Sequence, residues 1–180
     1  MSSRIITLLI LLTLAASPLP TAKQAKTDIA APTLKWSEGG CGSWCQTGWY
    51  SSPAGADLDG DGQPEVIGSG YSISVVDGST GALKWQVASG YDRSSPGASP
   101  VGRTWPGIVA ADIDADGFFE IVTAHSGGFV SVYDHTGYFQ SGWPQHPTGN
   151  ELRGLTVYDL DEDGTAEIIV TGATYNRTNT

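Results

Sequence analysis

Residues 57–65 read DLDGDGQPE, with carboxylates at positions 1, 3, 5 and 9 and glycine at position 6. The same frame returns at 112–120 (DIDADGFFE) and at 159–167 (DLDEDGTAE), at spacings of 55 and 47 residues. Like charges packed this closely repel, so a fold that keeps them together must compensate them. These four positions in three loops hold twelve of the nineteen acidic residues. The net charge of -10 is therefore concentrated in three places and is not a general solvating coat.

Alternate carboxylates point inward when the backbone curls, and Gly62, Gly117 and Gly164 permit the curl. Each loop then offers three aspartates, a backbone carbonyl at position 7 and a closing glutamate. The candidate metal ligands are Asp57, Asp59, Asp61, Gln63 and Glu65; Asp112, Asp114, Asp116, Phe118 and Glu120; and Asp159, Asp161, Asp163, Thr165 and Glu167. An all-oxygen shell rich in carboxylates suits Ca²⁺, which takes 6–8 oxygens at about 2.3–2.6 Å. Mg²⁺ keeps more water, and zinc and copper call for the His or Cys that these loops lack. About three calcium ions are expected, one per loop. The first three ligands match the start of an EF-hand, but that loop closes with Glu at position 12 between helices. Here the glutamate stands at position 9 and a β-branched run follows at once, which excludes the EF-hand.

Those runs are EVIGSG (65–70), EIVTAH (120–125) and EIIVTG (167–172), all of strand type. Next come SISVVDGSTG (72–81) and FVSVYDHTG (129–137), alternating strands that end in Asp and a glycine turn. ALKWQ (82–86) and YFQSGWP (138–144) follow as Trp-bearing strands, and GIVAADI (107–113) and RGLTVYDL (153–160) precede their loops as further strands. Each unit is thus a four-stranded antiparallel meander of about 50 residues, the size of a β-propeller blade. Twenty-four glycines and only 16% charged residues agree with an all-β chain of tight turns. About two and a half blades are present, so the expectation is an incomplete propeller, the front part of a longer protein. LKW at 34–36 repeats LKW at 83–85 and predicts a lone fourth strand at the amino-terminal side.

Residues 1–22 have one early cation, Arg4, an apolar run from Ile5 to Ala16, and small residues after it, the layout of a secretory signal peptide. That run is too short to span a bilayer. A linker (23–33) and the repeats (34–180) follow. The expected location is secreted, periplasmic or on the cell surface, with no membrane insertion after signal removal. In that setting Cys41 and Cys45, in CGSWC, read as a small-loop disulfide and not as a C-x-x-C redox pair. NRT at 176–178 is a glycosylation sequon. A pI near 4.4 argues against nucleic acid as a partner.

The three D-x-D-x-D-G-x-x-E-[VI] segments and the turns VVDGSTG and VYDHTG resemble the FG-GAP/VCBS repeats of integrin-alpha-like β-propellers, in their secreted, bacterial-type form. The resemblance covers about 34–180. It implies that each acidic loop binds calcium between the first two strands of a blade. The Phe-Gly…Gly-Ala-Pro string that names the family is absent. The stretch DGSTGALKW (77–85) is also similar to the blade ends of quinoprotein-type propellers, which implies a packing role for Trp36 and Trp85.

The resulting expectation is an exported, non-enzymatic calcium-binding propeller, an adhesion module that holds a protein or glycan ligand. His125, His135 and His146 stand in separate turns or strand ends, and no Ser/His/Asp set stands out. The alternative is a polysaccharide lyase of the rhamnogalacturonan-lyase type, which some similar propellers are; a quinone-dependent dehydrogenase ranks third.

Overall fold

The computed structural model describes residues 30–37, 51–94, 102–104, 106–147 and 149–173. The signal peptide, all of the linker but residues 30–33, Cys41, Cys45 and the sequon lie outside them. Every strand among the described residues falls within the unit Leu34–Thr180.

The strands are β1 (Ala54–Ala56), β2 (Glu65–Ser69), β3 (Ser72–Asp77), β4 (Leu83–Ala88), β5 (Val109–Ala111), β6 (Glu120–Ala124), β7 (Val130–Tyr133), β8 (Leu152–Tyr158) and β9 (Glu167–Gly172). They pair antiparallel throughout, in sheets ordered β1-β2-β3-β4, β5-β6-β7 and β8-β9. The fold is all-β and unclosed, as a partial propeller requires, and no helix occurs among the described residues. In every sheet the acidic loop joins the first strand to the second.

The β-branched runs decide how the sheets stack. β6 and β7 are buried at every residue, so the middle sheet has neighbours on both faces. Successive side chains on a strand point to opposite faces. Ile121 and its cross-strand partner Tyr133 accordingly pack with Leu58, Ile67, Val75 and Trp85 of the first sheet. Val122 and its partner Val132 pack with Leu152, and with Val157 and Ile168, of the third. Each fully buried Ile or Val adds about 1.5–3 kcal/mol. The first strands lie side by side, β1 against β5 and β5 against β8, as the inner strands of successive blades do.

The structure departs from the sequence reading at three places. The Trp-bearing strand expected at 138–144 is not regular: only single bridges, Tyr133 to Phe139 and Val130 to Gln145, continue the second sheet. Gly142 takes φ +86° and Pro144 has no N–H to give, so a ladder cannot run through this segment. β1 is the opposite case, a strand of sequence AGA whose small side chains leave no hydrophobic period to read. Finally, LKW at 34–36 pairs with no strand among the described residues. Its tryptophan nevertheless repeats a contact made by the other LKW. Trp36 Nε1 donates to the Gly78 carbonyl and Trp85 Nε1 to the His135 carbonyl, both at 3.0 Å. Gly78 and His135 each follow the aspartate that opens a turn. Trp36 therefore holds the first sheet's turn as Trp85 holds the second's.

Candidate metal centres

The three loops share one hydrogen-bond plan. The position-1 aspartate accepts from the position-6 glycine N–H: Asp57 from Gly62 at 2.9 Å, Asp112 from Gly117 at 3.1 Å and Asp159 from Gly164 at 2.9 Å. The position-5 aspartate accepts from the position-7 N–H of Gln63, Phe118 or Thr165, at 2.7–2.8 Å. The position-9 glutamate accepts from the position-2 N–H of Leu58, Ile113 or Leu160, at 2.8–2.9 Å. Position 4 has positive φ in all three, at Gly60, Ala115 and Glu162. A non-glycine residue there is uncommon. The carboxylate bonds around it close the turn tightly enough to hold Ala115 and Glu162 in place.

This plan brings carboxylate oxygens together. Asp57, Asp59 and Asp61 each place one within 4.8 Å of the others, as do Asp112, Asp114 and Glu120, and Asp159, Asp161 and Glu167. Glu65 is left out of the first trio, and Asp116 and Asp163 out of theirs. The donor set is all oxygen. Asp57 Oδ1 is buried and has no hydrogen-bond partner, so this charged oxygen calls for a cation. The residues present therefore fit a hard divalent ion.

Position 9 has a second duty that spacing did not reveal. Glu65 and Glu120 are each only 1% exposed, and their bond to position 2 ties the loop to the start of the second strand. Burial raises the Glu120 carboxyl above its usual range, against the lowering effect of the Ile113 N–H. A larger omission is Lys84 on β4. Its ammonium reaches Asp59 Oδ2 at 2.9 Å and Glu65 Oε1 at 2.5 Å. Those contacts raise the Lys84 pKa, chiefly through Glu65, and the bond from Lys84 is the main cause lowering that of Asp59. The available signal was register: Lys84 is the third residue after the turn glycine Gly81. Gln140 holds the same place after Gly137, with Nε2 at 3.4 Å from both Asp114 Oδ2 and Glu120 Oε1.

The turns next to the loops repeat as well. Asp77 Oδ1 accepts from the hydroxyls and N–H groups of Ser79 and Thr80, bonds of which Ser79's hydroxyl gives the strongest, and its carboxyl sits well below the usual range. Asp134 Oδ1 accepts likewise from Thr136 and Tyr138. The first sheet grips that second turn through Trp85, and through the Arg93 N–H and guanidinium on the Gly137 and Thr136 carbonyls.

The three histidines stand apart. His135 stacks on Phe118 and His146 on Phe129. His125 is fully buried where the first and second sheets meet. Its Nδ1 lies 3.1 Å from Ser89 Oγ and 3.3 Å from Thr104 Oγ1, and its Nε2 lies 3.0 Å from Thr123 Oγ1 and from Ser131 Oγ. Burial pushes its pKa down to about 3, so the ring is neutral and structural at pH 7.

Among curated proteins, none matches the sequence. A family model does: that of the FG-GAP-like repeat, over residues 112–170. The matched stretch opens on the first aspartate of the second loop and closes inside β9, so it takes in two acidic loops and the strands between them. Loop, strand and turn over residues 112–170 agree with that match in sequence and in form.

Proposed function

We propose that the chain is an exported, calcium-binding β-propeller module, integrin-alpha-like, that holds a protein or glycan ligand in adhesion and does no catalysis. The observation that carries the calcium reading is the threefold recurrence of one loop plan with three converging carboxylate oxygens. The ligand set proposed is the three aspartates, the position-9 glutamate and the position-7 carbonyl of Gln63, Phe118 or Thr165 in each loop. Bound calcium would supply positive charge where carboxylates otherwise repel. The chain's own residues do the rest: glycine and position-4 residues bend the loop, and the buried glutamate anchors it to a strand. Such a loop is a rigid corner between the first two strands of a blade, and three of them would fix the rim of a binding face.

The test is thermal melting of the chain in chelator and in millimolar calcium. Binding to the folded state alone stabilises by RT ln(1 + [L]/Kd), so the midpoint should rise in calcium. An unchanged midpoint removes the calcium reading. Incubation with rhamnogalacturonan fragments tests the non-enzymatic part: no unsaturated product is expected, and its appearance would replace the binding module with a lyase.

A further inference from the structure

The first and second loops share a plan but not a neighbour. The residue three places after the turn glycine faces the position-3 aspartate and the position-9 glutamate in both. In the second loop it is Gln140, a neutral amide at 3.4 Å from each carboxylate. In the first it is Lys84, a full positive charge at 2.9 Å from Asp59 and 2.5 Å from Glu65. We propose that Lys84 is an intramolecular counter-ion that competes with the divalent cation for the first acidic loop, which therefore binds its metal more weakly than the second.

The inference rests on the calcium reading and adds a ranking of the sites. Lys84 holds two of the carboxylates that the metal would need. A divalent cation entering beside an ammonium meets repulsion as well as the loss of those two bonds. The geometry already reflects the competition: Glu65 is drawn to Lys84 and is left out of the converging trio, whereas Glu120 and Glu167 belong to theirs. The ammonium also has somewhere to go. A cavity of about 170 Å³ adjoins it, lined in part by Leu58, Trp85, His135 and Thr136, and the Lys84 side chain is 32% exposed. Metal uptake at the first loop would then exchange one cation for another and release Lys84 toward solvent. In chelator the same lysine would hold the first loop folded while the second remains self-repelling.

A unit charge at this range, partly screened by solvent, changes affinity by about tenfold. The experiment is a calorimetric calcium titration of the full chain, of Lys84→Gln and of Gln140→Lys, with melting of each in chelator. Lys84→Gln should tighten one class of site about tenfold and lower the chelator melting point. Gln140→Lys should weaken one class by a similar factor and raise the chelator melting point. Calcium binding with the same constants in all three proteins overturns the competition and leaves the calcium reading standing. Absence of calcium uptake by all three overturns both. Should Lys84→Gln fail to fold, Gln140→Lys decides alone.

Discussion

The first and second sheets run the same series of parts and finish them differently. The first ends in a regular fourth strand, β4, which brings Lys84 to the loop and buries Trp85 in the seam. The second ends in a segment tied only by single bridges, with Gln140 and Ser141 at the corresponding places. The loops differ in step: Asp112 Oδ1 accepts from the Asp116 N–H, whereas Asp57 Oδ1 is buried without a partner. A motif therefore sets which oxygens are on offer, and the strand beside it sets how they are neutralised.

The joint between these sheets gives the largest expected effect. His125 is neutral in the folded chain and titrates near 6.5 when exposed. A lowered folded pKa means full stability above about pH 6.5, lost progressively as the pH falls toward 3. Urea unfolding at pH 7 and pH 4 should differ by roughly 3 kcal/mol from this group alone. A His125→Gln variant should show a flatter pH slope, and an unchanged slope would remove His125 as the cause.

The glycines of the second sheet's final segment give the next. A Cβ on Gly137 would lie 2.9 Å from the Trp85 ring at φ +90°, whereas one on Gly142, at φ +86°, meets nothing within 4 Å. Gly137→Ala should cost about 2–4 kcal/mol, backbone strain plus a displaced indole, and Gly142→Ala only about 1–2 kcal/mol. Equal losses in chemical denaturation would mean that the Trp85 seam does not constrain the turn.

The paired glutamates should answer in opposite directions when calcium is chelated. Glu65→Gln removes the more buried of the two carboxylate partners of Lys84 and should destabilise by about 1–2 kcal/mol. Glu120→Gln removes a buried charge that lies beside the carboxylates of Asp112 and Asp114 with no cationic side chain among the described residues to offset it, and should stabilise by about 1 kcal/mol. The same sign in both would erase the contrast between the loops. The smallest effect is the pH response of Glu120 itself. Its raised pKa contributes stability in chelator that is fully present below about pH 4.3 and lost as the pH rises through the folded value. Calcium should abolish that loss, and a profile unchanged by calcium would dissociate Glu120 from the metal.

Much of this was legible in the sequence. Charge at a fixed spacing names its own loop, and a β-branched run behind it names the next strand, so the loops and β2, β6 and β9 can be read directly. β1 could not be, since Ala-Gly-Ala carries no pattern and is a strand only because β2 pairs with it. The over-read segment at 138–144 has strand-like residues, but Gly142 and Pro144 outweigh them. Lys84 was hidden for another reason: it lies 25 residues from Asp59, and only the register of β3 on β4 brings the two together.

The indoles of Trp36 and Trp85 have an optical consequence. Each donates its N–H to a carbonyl of the turn that it closes, and indole emission shifts to longer wavelength when water replaces such surroundings. The share of the fluorescence that these two of the six tryptophans contribute is thus a built-in gauge of the joints. Trp85→Phe would silence the gauge between the first two sheets, and Trp36→Phe the one on the amino-terminal side.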